Sequence, residues 1–210
     1  MTNALIIGAS GGIGSALAGQ LKNSYSLFLV GRDTAKLKRL SDSSGGRAIP
    51  TDVASELEVQ ALMADLPQLD LIIYSAGDIQ PEPLKIATSE HWQRVLDANL
   101  TGLFYTLKHG DAKLNKGSRI YVLGARPNLV TYRSFGIYAA TKAAAASLVQ
   151  VAAIEMKRKA NFTLVLPKAV DTPFWENVGK PPADALSAED VASAIVSSLE
   201  GDPQDELLVG

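Results

Sequence analysis

Short apolar runs recur along the chain, and between them apolar residues return at helical spacing among polar ones. The runs predict strands near 4–7, 26–30, 47–50, 69–74, 118–123, 162–166 and 206–209. The spaced patterns predict helices near 13–22, 33–41, 55–65, 88–109, 137–159 and 188–200. Strands alternating with helices specify the α/β class: a doubly wound, parallel, seven-stranded sheet with helices on both faces, three layers in all. The Ser/Gly run Ser41 to Gly46 and the proline-containing stretch Pro173 to Pro182 are expected to be loops, the latter with a brief helix at Pro173 to Asn177. Neither marks a boundary, and 210 residues suit one domain spanning 1–210.

Composition narrows the function. Twenty basic residues against 22 acidic ones leave a net charge of −2, which gives no electrostatic footprint for nucleic acid or an anionic membrane. The chain has no cysteine and two histidines, His91 and His109, read as solvated helix residues, so disulfides are excluded and no metal site is expected. No apolar run is expected to reach membrane-spanning length, and no leader precedes the first strand, so a cytoplasmic location is expected. The helix at 137–159 is apolar around more of its circumference than one buried face requires, which points to a partner surface.

The chemistry begins at Gly8-Ala-Ser10-Gly11-Gly12-Ile13-Gly14, directly after the first apolar run. Gly8 allows a turn where a Cβ would clash, Gly12 and Gly14 bring backbone close to a ligand and to the sheet, and the helix that follows aims its N–H groups and dipole at an anion. The spacing is GxxxGxG rather than the GxGxxG of the general dinucleotide fingerprint.

In such a sheet the ligand lies beyond the carboxyl ends of the strands. After the second strand stand Gly31 and Arg32: glycine leaves no acid for a ribose 2′-hydroxyl, and the arginine suits a 2′-phosphate, which favours NADP(H) over NAD(H). Arg32 also reads as an ordinary surface cation opening an amphipathic helix with Asp33, Lys36, Lys38 and Arg39. After the third strand, Asp52 beside Val53 reads as an acceptor for an adenine amino group or as a helix cap, although Ser55 is better placed to cap. After the fourth, Ser75, Ala76 and Gly77 are small enough for backbone to run beside a ribose. Tyr138 and Lys142 are four apart on one helix face, where the ammonium would favour the phenolate and let the tyrosine trade a proton with an alcohol or carbonyl.

Over essentially its whole length the chain resembles the short-chain dehydrogenase/reductase family, through Gly8, Gly12 and Gly14, Asp52-Val53, Ser75-Ala76-Gly77, Asn99, Tyr138, Lys142 and Thr172, in the family's order. The resemblance implies a Rossmann-type fold and an NADP(H)-dependent interconversion of a small-molecule carbonyl and alcohol. It implies that Tyr138 is the acid/base, that Lys142 holds the nicotinamide ribose, that Asn99 orders a water on the proton path, and that Pro167 and Thr172 border the nicotinamide. It also implies a homodimer or homotetramer built through helices 88–109 and 137–159.

Three departures stand out. Ala125 occupies the end of the strand where the family has its catalytic serine, with Thr131 and Ser134 as distant substitutes. Lys168 follows Pro167 where the family usually has glycine, and it could face an acidic substrate, a pyrophosphate oxygen or solvent. The segment between the sixth strand and the helix at 188, which normally builds a lid, is short, and Phe174 and Trp175 are its covering side chains. Arg126 and Arg133 hint at an anionic substrate. Two functions stay open: an oxidoreductase, and an NADP(H)-binding sensor or scaffold with little turnover, which would account for Ala125.

Overall fold

Residues 4–7 of the first strand alternate in destination, as a period of two requires. Leu5 and Ile7 pack with Leu62, Leu107 and Val149 on one side of the sheet, and Ala4 and Ile6 pack with Leu17, Leu37 and Ile195 on the other. A computed structural model describes residues 2–210. In chain order its elements are β1 (Thr2–Ile7), α1 (Gly12–Leu21), β2 (Tyr25–Gly31), α2 (Thr34–Ser44), β3 (Arg47–Pro50), α3 (Glu56–Asp65), β4 (Leu69–Tyr74) and α4 (Ser89–Leu96). A π turn (Asp97–Thr101) leads into α5 (Gly102–Gly110), followed by β5 (Leu114–Leu123), α6 (Pro127–Val130), α7 (Gly136–Glu155), β6 (Ala160–Pro167) and β7 (Val170–Asp171). After a 3₁₀ turn (Pro173–Asn177) come β8 (Leu186–Ser187), α8 (Ala188–Leu199) and β9 (Glu206–Val209).

All seven expected strands join in one parallel sheet of order β3-β2-β1-β4-β5-β6-β9. Helices α3, α5 and α7 cover one face, and α1, α2 and α8 the other. The order reverses at β1, between β2 and β4, which opens a crevice at the carboxyl ends of these strands.

Several expectations need correction. The loop expected from Ser41 begins only at Gly45, because Gly45 takes the left-handed conformation (φ 72°) and donates its N–H to Ser41 O, closing α2 one turn later. Helix α7 stops at Glu155 rather than 159, and Lys159 turns back to pair with Asp111 at 2.6 Å. Neither histidine is free in solvent: His91 Nδ1 meets Glu82 at 2.9 Å and His109 Nε2 meets Glu56 at 3.0 Å. Helix α7, at 20 residues, is long and apolar enough by length and composition to cross a membrane, contrary to the expectation of no such run. Its inner face, with Ile137, Ala145, Val149 and Ala152, is buried in this fold, and alanines account for much of its apolar character.

Candidate active site

The glycine turn is held by contacts that leave no room for side chains. Gly8 has φ 82°, and a Cβ there would come 2.4 Å from Ala76 N; a Cβ on Gly14 would come 2.3 Å from Gly8 O. The N–H groups of Gly8 and Ala9 both donate to Val30 O at 2.9 Å, and both the N–H and the hydroxyl of Ser75 donate to Ile7 O at 2.8 Å. The turn after β1 is thus bolted to β2 and β4. A cleft of about 800 Å³ lies above it, lined by Ser10, Gly11, Gly12, Ile13 and Gly14 at one end, by Ser75, Ala76 and Gly77 in the middle, and by Tyr138 and Lys142 beyond. Pro167 and Thr172 line it too, and a Cβ on Gly12 would touch Thr172 Cγ2 at 2.6 Å, so the turn and the segment after β6 meet.

At the glycine end, Gly31 presents no acid, and a Cβ there would come 2.9 Å from Ser10 Oγ, a hydroxyl that rotation moves aside. Arg32 is exposed and Asp33 caps α2 by accepting from Lys36 N at 2.9 Å. Lys36, one turn into α2, lines the cleft, whereas Arg32, Asp52 and Val53 do not. In the sequence Lys36 reads only as one of the polar companions of Arg32; its offset of four from Arg32 is the signal that could have found it. Asp52 Oδ1 accepts from Ala54 N at 3.1 Å, Ser55 caps α3, and Val53 packs into the core, where a Cβ on Gly102 would meet it at 2.6 Å.

Asn99 sits in the π turn, 2% exposed, beneath the cleft. Its Oδ1 accepts from Asp78 N at 2.9 Å, and its Nδ2 donates to Asp78 O at 2.9 Å and to Thr141 Oγ1 at 3.0 Å. The amide is therefore committed to the strand-end loop after β4 and to α7. These bonds fix the side chain and leave one lone pair of Oδ1 for the water that the resemblance implies.

Lys142 is 7% exposed and its Nζ donates to Leu123 O at 2.8 Å, at the end of β5. Burial pushes its pKa down to about 8. The ammonium lies 5.7 Å from the centroid of the Tyr138 ring. Burial pushes the Tyr138 phenol up, which opposes the ammonium's favouring of the phenolate. Phe135 and Phe174 flank its ring, at 6.4 and 5.7 Å between centroids.

Ala125 faces the cleft without a hydroxyl. Gly124 cannot substitute, having no side chain. Thr131 donates its hydroxyl to Pro127 O at 2.6 Å, and neither Thr131 nor Ser134 lines the cleft. The two arginines behind the anionic-substrate hint are placed differently. Arg126 lines the cleft, and its Nε and Nη2 donate to Leu166 O at 2.9 Å, Val209 O at 2.9 Å and Gly210 O at 2.7 Å, tying β5 to the ends of β6 and β9. Arg133 is exposed and outside the cleft lining. Lys168 lines the cleft with its stem along Gly210. The expected brief helix forms as the 3₁₀ turn, where Trp175 Nε1 donates to Val170 O at 2.9 Å and both Phe174 and Trp175 line the cleft.

A glycine turn at a topological switch point, with a buried lysine and a phenol in the same cleft, defines a nucleotide-binding α/β protein of dehydrogenase type. The short chain dehydrogenase family model matches residues 2–183, and the chain belongs to that family of oxidoreductases. It is 31% identical over 208 residues to an uncharacterized oxidoreductase of Staphylococcus haemolyticus, covering 93% of this chain and 90% of the relative. A solved structure from Thermus thermophilus, assigned to the short-chain oxidoreductases, is 34% identical with a TM-score of 0.90, covering 96% of this chain and 98% of that one. An alcohol dehydrogenase of the archaeon Thermococcus sibiricus, solved with 5-hydroxy-NADP, shares the fold at a TM-score of 0.85 and 24% identity, covering 100% and 96% of the two chains.

The residues present fit the nicotinamide dinucleotide that this family implies. The cradle is one that a Cβ at Gly8, Gly12 or Gly14 would fill. Backbone runs close at Ser75–Gly77, and the cation of Lys36 lies at the glycine end while that of Lys142 lies beside Tyr138.

Proposed function

We propose that the protein is an NADP(H)-dependent oxidoreductase that interconverts a carbonyl and an alcohol, with Tyr138 as the proton donor and acceptor. The observation that carries this reading is that Tyr138 and the buried Lys142 share one cleft with the glycine cradle, the ammonium 5.7 Å from the centroid of the phenol ring. When bound, the nicotinamide supplies or accepts the hydride. Tyr138 gives its phenolic proton to the oxygen of a reduced carbonyl. Lys142 holds a positive charge beside the ring and meets ribose hydroxyls with the donors that Leu123 O leaves over. Asn99 fixes the loop after Gly77 against α7. The preference for NADP(H) rests on the absence of an acid at Gly31 and on the cations Arg32 and Lys36.

Ala125 favours a second reading, an NADP(H)-binding sensor with little turnover, since losing one oriented donor typically costs on the order of 10²–10³ in rate. Oxidation of NADPH by a carbonyl panel separates the two. Turnover by the wild type that Tyr138→Phe abolishes, with NADPH affinity unchanged, supports the enzyme; turnover only after Ala125→Ser supports the sensor.

A further inference from the structure

Between the end of β4 at Tyr74 and the start of α4 at Ser89 the chain has no helix or strand of its own, yet Ser75, Ala76, Gly77 and Ile79 line the cleft. Side chains of alternate residues hold this strip in place. Asp78, Gln80 and Glu82 reach α4, where Arg94 Nε lies 3.0 Å from Asp78 Oδ2, Arg94 Nη2 donates to Gln80 Oε1 at 2.8 Å, and His91 Nδ1 meets Glu82 Oε1 at 2.9 Å. His91 and Arg94 are three apart and so share one face of α4. Between the two anchors that Arg94 holds stands Ile79, which is 2% exposed.

Asp78 is clasped from two sides. Asn99 holds its main-chain N–H and carbonyl, each at 2.9 Å, and Arg94 holds its carboxylate, whose Oδ1 accepts from Ile79 N at 2.7 Å. Gly77, one residue earlier, is where Asn99 and Lys142 converge: a Cβ there would come 3.0 Å from Asn99 Oδ1 and 3.7 Å from Lys142 Nζ. A displacement of Gly77 toward them would crowd the ammonium. The grip of Asn99 is on main-chain atoms, whereas that of Arg94 depends on the acid at position 78.

We propose that Arg94 is a positioning residue for the nicotinamide half of the dinucleotide: by holding Asp78 and Gln80 on α4 it fixes Gly77 and Ile79 at the edge of the cleft beside Lys142. The proposal rests on the dinucleotide reading of the cleft. Arg94 does not itself line the cleft, so it acts through the strip and not by contact.

The test measures by calorimetry the binding of NADPH and of adenosine 2′,5′-bisphosphate, which shares the adenine half and lacks the nicotinamide and its ribose. Wild type, Arg94→Met, Asp78→Asn and the double variant are compared. Arg94→Met is expected to raise the Kd for NADPH about 10-fold, the cost of ordering on binding a strip that the fold no longer orders, and to leave that for the bisphosphate within about twofold. Asp78→Asn keeps an acceptor for Ile79 N and should do the same. The double variant should bind NADPH no worse than the weaker of the two singles, since both remove one pair. A role in stability alone would lower both affinities together, through loss of folded protein. Unchanged NADPH affinity, an equal loss for both ligands, losses that multiply in the double variant, or a wild type that binds NADPH no tighter than the bisphosphate overturns the proposal. A wild type that binds neither ligand refutes the dinucleotide reading itself.

Discussion

Lys142 is held in a place that costs the fold something. Its pKa near 8 lies below the ordinary 10.5 because burial disfavours the ammonium. The penalty is fully present below pH 8, where both folded and unfolded chains carry the charge, and is relieved as pH rises from 8 toward 10.5 and the folded chain releases its proton first. Lys142→Met is therefore expected to be more stable than the wild type at pH 7, with the margin shrinking by pH 10, as followed by denaturant unfolding across that range. A constant margin would show that the effect is packing alone. Ala125→Ser tests the other notable residue: the hydroxyl would enter the cleft and raise carbonyl turnover by up to about 100-fold with cofactor affinity unchanged, measured by steady-state kinetics and titration. At this scale the sequence showed most of the residues that share the cleft, but it included Arg32, Asp52 and Val53, which do not line it, missed Lys36, and did not show what the side chains do there. Tyr138 and Lys142 were legible as a pair from their spacing, yet the raised phenol follows from surroundings contributed by distant segments, such as Phe174. The main-chain partners of Arg126 were not legible because they stand at the ends of β6 and β9, far away in the chain.

At the scale of elements, the strand–turn–helix at β1 and α1 and the π turn before α5 do most of the positioning. Gly14→Ala places a Cβ against Gly8 O and Ala9 Cα, backbone atoms that cannot give way cheaply. A loss of about 3 kcal/mol or more, with loss of NADPH binding, is expected from unfolding and fluorescence titration. Asn99→Ala leaves the Asp78 N–H and carbonyl without their side-chain partner. It should cost about 2 kcal/mol, or roughly 4–8 °C in Tm. The strands and main helices were readable because apolar periodicity reports burial directly. The π turn was not, because an extra residue in a helical turn leaves the apolar pattern of 88–109 nearly intact. The end of α2 was misread because Ser41 to Gly46 has loop composition, while the residue that stops the helix is Gly45.

For the whole molecule, one face remains open. Trp92 and Phe104, on α4 and α5, are 45% and 46% exposed, and Val151 and Ile154, on α7, are 50% and 70% exposed. We expect this face to pair two copies of the chain, so that Phe104→Arg with Ile154→Arg yields a monomer by light scattering, whereas the wild type gives a dimer or tetramer. The sheet, its order and the cleft above β1 together make a dinucleotide site the central claim, and the direct test is a fluorescence titration of the purified protein with NADPH and, separately, NADH. The account predicts tight NADPH binding and much weaker NADH binding, with the difference lost in Arg32→Ala/Lys36→Ala. Absence of binding to either nucleotide would contradict it.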